Sequence, residues 1–154
     1  MLRQRVRTSI VIAAPPAQVW DALIDIDSYP RWNPVLSLRP WRGDLLRAGH
    51  RAWLSLKPFP VPVVMPVRVE VVEPGRELCW SGGPWGVLRG RHGFELRDRG
   101  AETEVIHSER FDGLLVPLLW SRMEPELERL YGGVNTALAD YVEGGATATW
   151  KRGE

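Results

Sequence analysis

Six segments typical of β-strands, separated by short turn signals, are followed by one long helical pattern. The strands are predicted at residues 35 to 41, 50 to 57, 63 to 73, 76 to 82, 86 to 97 and 102 to 111. The breaks between them, such as Glu73-Pro74-Gly75-Arg76 and Asp98-Arg99-Gly100, are short hairpin connections, which imply antiparallel neighbours. Only the final helix can cover one face of such a sheet, so the sheet must curl around it.

The N-terminal part adds a seventh strand and two short helices. Residues 3 to 12 alternate between apolar and polar side chains, which indicates a half-buried strand. Pro16 can open a helix over residues 16 to 25, because a proline in the first turn loses no helical hydrogen bond. The segment Asp27-Ser28-Tyr29-Pro30 then predicts a turn or a second short helix that ends near Trp32.

The C-terminal helix is predicted to begin near Leu115. Its apolar stripe steps by three or four residues through Val116, Trp120, Met123, Leu127, Leu130, Val134, Leu138 and Tyr141. Pro125 predicts a kink or a fresh helix start. Gly132 and Gly133 each cost about 1 kcal/mol relative to alanine in a helix, so a close approach to the sheet or to a ligand is expected to compensate.

These elements predict one α+β domain over residues 1–144, followed by a disordered tail over residues 145–154. The domain has a seven-stranded curved antiparallel sheet, two short helices after the first strand and a long C-terminal helix. A curved sheet that grips a single helix leaves space between the two unless large side chains fill it. The fold therefore predicts an internal pocket, which the short helices close at one end.

The composition of the chain limits the kinds of molecule that the protein is expected to bind. The chain has 20 Lys plus Arg against 19 Asp plus Glu and no basic block interleaved with aromatics, so nucleic acid is not an expected partner. Its single cysteine, Cys79, cannot form an internal disulfide, and no Cys/His cluster has zinc-ligand spacing, so we expect neither metal nor cofactor. Without a signal peptide or a stretch of about 20 apolar residues, we expect a cytoplasmic protein with no stable membrane insertion. The oligomeric state stays open.

Residues 10 to 34, Ile-Val-Ile-Ala-Ala-Pro-Pro-Ala-Gln-Val-Trp-Asp-Ala-Leu-Ile-Asp-Ile-Asp-Ser-Tyr-Pro-Arg-Trp-Asn-Pro, resemble the N-terminal signature of the START-like (SRPBCC) superfamily. They are similar in particular to its bacterial polyketide cyclase/dehydrase branch, as are residues 107 to 113 and 135 to 138. The resemblance spans residues 5 to 143. It implies the helix-grip fold and a cavity for a lipid, a polyketide or another apolar ligand, in which some members catalyse cyclisation or dehydration without a cofactor.

Three polar residues should point into the cavity, because they lie on the same side of their strands as apolar residues. They are His92, His107 and Glu109. One hypothesis pairs His107 with Glu109, whose carboxylate would orient the imidazole as a general acid or base. Alternatively, these residues bond one another, a tryptophan N–H or a water. The residues predicted to line the ligand site, each of which could instead be plain core, are Trp80, Phe94, Val105, His107, Phe111, Trp120, Met123 and Leu127.

Three functions follow from these observations. The first is binding of a hydrophobic small molecule, because the fold predicts a cavity and the sequence has no compelling catalytic set. The second is a cyclase/dehydratase of the aromatase type, a lyase that would use His107 and Glu109, with His92 as a further candidate. The third is a protein-interaction or chaperone-like role, for which the stiff apolar loop Pro58 to Pro62 could serve.

Overall fold

The computed structural model describes residues 3–57 and 63–151, with the side chains of residues 145–151 excepted. Its elements are β1 (Arg3–Ile12), α1 (Pro16–Ile24), a 3-10 turn (Ile26–Ser28), α2 (Tyr29–Trp32), β2 (Leu36–Pro40), β3 (Arg51–Leu56), β4 (Val63–Glu73), β5 (Glu77–Gly82), β6 (Arg89–Arg99), β7 (Glu102–Asp112) and α3 (Val116–Lys151). The predicted order of strands and helices is confirmed. The predicted loop from Pro58 to Pro62 lies outside the described residues.

The seven strands form one antiparallel sheet in the order β1-β7-β6-β5-β4-β3-β2. Among the described strands, only the β1–β7 pairing joins distant parts of the chain, since every other strand pairs with its neighbour in sequence. The long helix α3 packs against β1 and β7 and contacts both short helices. The predicted α+β architecture, a curved sheet around a C-terminal helix, is therefore confirmed.

The alternation of side chains along each strand correctly predicted which residues face the core at the centre of the sheet. His92, Phe94, Val105 and His107 are buried on the side of the sheet that faces the core. Strict alternation does not hold along β4, because Val63 is exposed and a β-bulge shifts the register between Val69 and Val71. A bulge reverses the faces of all residues beyond it, and sequence periodicity gives no sign of it.

The two short helices close one end of the sheet. The Tyr29 hydroxyl donates to the Leu23 carbonyl oxygen at 2.6 Å, and the Trp32 indole N–H donates to Ser28 Oγ at 3.1 Å. The Trp32 ring also stacks on Tyr141 of α3 with 6.0 Å between ring centroids. These contacts join the short helices to the C-terminal helix.

The long helix continues through Pro125, so the proline does not begin a new helix, and the alternative of a kink stays a prediction. A Cβ atom added at Gly132 or Gly133 would meet nothing within 4 Å, so the glycines do not permit a close approach to the sheet. The backbone of residues 145–151 is part of α3, and the disorder of the tail over residues 145–154 stays a prediction. Among the described helices, none has the length and apolar character needed to cross a membrane.

Candidate functional site

A cavity of about 330 Å³ lies between the sheet and α3. Its wall is apolar except for His92, Glu109 and Tyr131. The other lining residues are Val35, Leu36, Leu54, Leu56, Met65, Val67, Trp80, Gly82, Gly83, Pro84, Leu88, Gly90, Phe111, Met123, Leu127 and Leu130. No arginine or lysine is among them. The cavity therefore has one small polar region on an otherwise hydrophobic surface, which is typical of sites for small molecules.

Four of the eight residues predicted to line the ligand site do line this cavity: Trp80, Phe111, Met123 and Leu127. The other four, Phe94, Val105, His107 and Trp120, do not. His92 and Tyr131, which do line the cavity, both stack against His107, with ring centroids 4.6 and 4.4 Å apart. The Trp120 ring instead contacts Phe111, at a centroid distance of 5.9 Å.

A continuous chain of hydrogen bonds runs behind the polar region of the wall. Thr8 Oγ1 donates to the His107 carbonyl oxygen at 3.0 Å and accepts from Asn135 Nδ2 at 2.9 Å. Asn135 Oδ1 is 2.9 Å from His107 Nδ1, and His107 Nε2 is 2.6 Å from His92 Nε2. The chain thus links β1, α3, β7 and β6 through the half-buried Thr8 and the buried side chains of Asn135, His107 and His92.

The direction of this chain determines the proton positions on both histidines. A carbonyl oxygen only accepts, so the single Thr8 hydroxyl proton points at it, and Thr8 must accept from the Asn135 amide nitrogen. Asn135 Oδ1 consequently faces His107 and requires a proton on its Nδ1. His107 Nε2 is then an acceptor, and His92 Nε2 carries the proton between the two rings. We therefore assign a free lone pair to His92 Nδ1, on the side toward Glu109.

Glu109 is the acidic group of the cavity wall. Burial raises the pKa of its carboxyl to about 8, so the group is mainly protonated at neutral pH. The Tyr131 hydroxyl donates to Glu109 Oε2, and that oxygen lies 4.0 Å from His92 Nδ1. A Cβ atom at Gly90 would come within 2.2 Å of Glu109 Oε1, so the carboxyl occupies space that only glycine leaves open.

Both buried histidines are neutral at physiological pH. Burial lowers the pKa of His107 to about 3, although its hydrogen bond to Asn135 opposes the shift. Burial and the neighbouring His107 hold the pKa of His92 well below its usual range. The cavity wall therefore presents an uncharged acid, Glu109, beside an uncharged base, His92 Nδ1. Such a pair can donate a hydrogen bond to one polar atom of a ligand and accept a hydrogen bond from another.

The structure corrects the predicted pairing of Glu109 with His107. The Glu109 carboxyl binds Tyr131 and approaches His92, whereas both ring nitrogens of His107 are occupied by Asn135 and His92. The reason is the register between the two strands, because Glu109 of β7 is directly paired with His92 of β6. His107 is a supporting residue behind the wall, and His92 takes the cavity position.

Tyr131 is the polar residue of the cavity wall that was not predicted from the sequence. It lies one position after Leu130 of the predicted stripe, and its hydroxyl reaches Glu109 because α3 packs against β1 and β7. A polar-tipped aromatic residue beside an apolar helix stripe was the available signal. Within residues 3–57 and 63–151, no group of three or more His, Cys, Asp or Glu side chains is arranged to hold a metal ion.

Comparison with solved structures shows the same fold in proteins of low sequence identity. Ara h 8.0201 is 12% identical, with a TM-score of 0.72 over 93% of this chain and 99% of its own. The Zhui aromatase/cyclase from Streptomyces sp. R1128 is 15% identical, with a TM-score of 0.74 over 92% and 94%. The di-domain ARO/CYC BexL from the BE-7585A biosynthetic pathway is 14% identical, with a TM-score of 0.74 over 91% of this chain and 46% of its own.

No curated protein sequence matches the chain significantly. The family described as "Polyketide cyclase / dehydrase and lipid transport" matches residues 3–143, which is nearly the whole domain. The predicted resemblance to the START-like superfamily is therefore confirmed. The chain belongs to the polyketide cyclase/dehydrase and lipid transport family.

Proposed function

We propose that the protein binds a hydrophobic small molecule, such as a lipid, a polyketide or an aromatic compound, in the cavity between the sheet and α3. The observation that carries this proposal is the composition of the wall, which is apolar apart from His92, Glu109 and Tyr131. Burial of apolar ligand surface contributes about 25 cal/mol per Å². The ligand's affinity comes from that burial, and its orientation comes from the polar region.

The protonated Glu109 carboxyl favours a ligand with a carbonyl or hydroxyl oxygen. Tyr131 already donates to Oε2, so the acid proton is carried by Oε1, which lies above Gly90 at the cavity surface. A ligand oxygen that accepts this proton would satisfy a buried donor, and an apolar ligand would leave it unpaired. The proposed ligand is therefore mostly apolar with one acceptor group.

A neutral fluorescent probe, N-phenyl-1-naphthylamine, tests binding directly. We expect its fluorescence to rise on addition of the protein and the protein's Tm to rise with probe concentration. The Leu127→Trp variant fills the cavity from α3 and should reduce the affinity at least tenfold. Leu118→Trp on the same helix, where the side chain is 75% exposed, is the matched control. Equal probe affinity in the two variants would contradict the proposal.

A second candidate function is dehydration of a β-hydroxy carbonyl compound. It is favoured by the proton positions, because Glu109 Oε1 carries a proton and His92 Nδ1 bears a free lone pair in the same wall. His92 would remove a proton from the carbon next to the carbonyl, and Glu109 would protonate the hydroxyl, which leaves as water while the carbon–carbon double bond forms. No oxidant, reductant or cofactor enters this balance.

Elimination of water from 4-hydroxy-4-phenylbutan-2-one tests this second candidate, since the conjugated product absorbs in the ultraviolet. We expect the wild-type protein to accelerate the reaction and Glu109→Gln to reduce kcat at least a hundredfold. Tyr131→Phe should have a smaller effect on kcat. Retention of the full rate by Glu109→Gln, or a wild-type rate equal to that in buffer, would remove the enzymatic assignment and leave the binding function intact.

A further inference from the structure

A second concave surface, the arginine groove, lies on the outer face of the sheet across β3 to β6. It has a volume of about 480 Å³ and is defined by Arg51, Arg68, Arg89, Ser81 and Trp85 together with apolar residues and glycines. None of its eleven lining residues is an aspartate or a glutamate. The groove therefore combines three cations with an exposed indole ring.

Two of these arginines face each other without a counterion. Arg51 of β3 and Arg68 of β4 are direct cross-strand partners, and both side chains are exposed. Among the described residues, neither forms an ion pair, and the nearby carboxylate of Glu70 is bound to Arg91 at 2.7 Å. Like charges directly opposite on adjacent strands destabilise a sheet. An anion placed between them would relieve that repulsion.

The third arginine is held in a fixed position. Arg89 Nη1 donates to the Gly83 carbonyl oxygen at 3.2 Å, and Nη2 donates to Ser81 Oγ at 2.9 Å. Its guanidinium carbon lies 4.2 Å from the centroid of the Trp85 ring. A guanidinium ordered before binding loses little conformational entropy when an anion arrives.

The arginine groove adjoins the apolar cavity. Met65, Val67, Gly82, Gly83 and Pro84 line both spaces. β5 ends at Gly82, which pairs with Val67 of β4. β4 begins earlier, at Val63, so its residues 63 to 66 extend past the end of β5. Within the described residues no strand pairs with this stretch of β4 on the side of β5. The sheet is therefore open at the point where the cavity and the groove meet.

We propose that the ligand is an amphipathic anion, with a mostly apolar body in the cavity and a phosphate or carboxylate group bound by Arg51, Arg68 and Arg89 at its mouth. This inference rests on the proposed binding function and specifies its ligand class. Guanidinium groups bind phosphate and carboxylate oxygens through paired, charge-assisted hydrogen bonds. The described residues of the cavity wall include no cation, so the charged end of such a ligand is placed outside the cavity.

Displacement of N-phenyl-1-naphthylamine by decan-1-ol, decanoate and decyl phosphate tests the inference, since the three share one apolar chain. All are used below their micelle concentrations, and inorganic phosphate is included as the isolated head group. We expect decyl phosphate and decanoate to displace the probe at concentrations at least tenfold lower than decan-1-ol. Inorganic phosphate alone should not displace it.

The double variant Arg68→Gln/Arg89→Gln should reduce this tenfold advantage to less than threefold while leaving decan-1-ol unchanged. Arg5→Gln/Arg7→Gln is the matched control, because both arginines lie in β1 outside the groove and should leave the advantage intact. Equal displacement by the alcohol and both anions, or an advantage that survives in the groove variant, would overturn the inference alone. Failure of the neutral probe and the alcohol to bind would overturn the proposed function.

Discussion

Asn135 is the residue whose hydrogen bonds determine the tautomers of the buried histidines. Its amide joins Thr8 of β1 to His107 of β7, and the direction of that link is set by the His107 carbonyl oxygen. A side chain on α3 thereby determines which nitrogen of His92 carries the proton. The polar region depends on a residue that does not contact the cavity.

We expect long-range ¹H–¹⁵N NMR spectra to show a proton on His107 Nδ1 and on His92 Nε2. In Thr8→Val the hydroxyl acceptor is lost, so the Asn135 amide is free to rotate and both tautomers of His107 should appear. The protein should remain folded, because valine and threonine have the same shape. A wild-type spectrum with the proton on His107 Nε2 would contradict the assignment.

Gly90 sets the position of the Glu109 carboxyl. In Gly90→Ala the new Cβ would lie 2.2 Å from Glu109 Oε1, so the carboxyl must move away from its buried position. We expect the pKa of Glu109, measured by ¹³C NMR of its carboxyl carbon, to fall from about 8 toward the ordinary value.

Gly93→Ala is the control for this change. It lies on the same strand, and its added Cβ would approach nothing closer than 3.5 Å, an ordinary contact distance. The pKa of Glu109 should stay near 8 in this variant. If both alanine variants shift the pKa equally, the space above Gly90 is not what positions the carboxyl.

The alternation of apolar and polar residues along single strands was enough to predict which side chains face the helix. His92 and Glu109 were placed on the inner face because a period of two fixes the side of the sheet once one buried neighbour is known. The same rule failed in β4, where the bulge after Val69 interrupts the period. Local pattern thus predicts a face but not the register between strands.

The pairing inside the candidate site could not be predicted from the sequence. Whether Glu109 contacts His107 or His92 depends on the register of β6 against β7, in which His92 is directly opposite Glu109. The role of Tyr131 depends in addition on how far α3 lies along the sheet. The strand register and the position of the helix are both properties of tertiary packing. The periodicity of residues within one strand or helix carries no information about them.

The glycine pair in α3 gives a prediction for helix stability. An added Cβ at Gly133 meets nothing within 4 Å, so Gly133→Ala should increase the free energy of unfolding by about 1 kcal/mol. Gly83→Ala should decrease it, because Gly83 has a φ of +99° and its Cβ would lie 2.3 Å from the Leu88 carbonyl oxygen. Denaturant unfolding measures both, and a loss of stability in Gly133→Ala would show that the helix needs this glycine.

Stability of the whole molecule should be greatest near pH 6.5. Below that pH, the unfolded chain protonates His92 and His107 while the folded chain keeps them neutral, so acid destabilises the protein. Above it, unfolded Glu109 is ionised whereas folded Glu109 stays protonated up to about pH 8. Stability therefore falls from pH 6.5 to 8, by up to about 1.4 kcal/mol per pH unit.

The Glu109→Gln variant tests whether the Glu109 carboxyl causes the decline in stability above pH 6.5. Glutamine does not titrate, so the decline in unfolding free energy between pH 6.5 and 8 should disappear in this variant, and the loss below pH 6.5 should remain. Chemical denaturation at half-unit pH intervals measures both limbs. An unchanged decline above pH 6.5 would mean that a group other than Glu109 causes it.

The pairing of β1 with β7 has a consequence for how the chain folds during synthesis. Thr8 pairs with His107, which is 99 positions later in the sequence. At about 5 to 20 residues per second, a ribosome takes roughly 5 to 20 seconds to supply that partner. During this interval Ile10, Val11 and Ile12 have no strand beside them, and contacts between such distant residues also slow folding. The first strand of the sheet finds its partner only when the last strand of the sheet emerges.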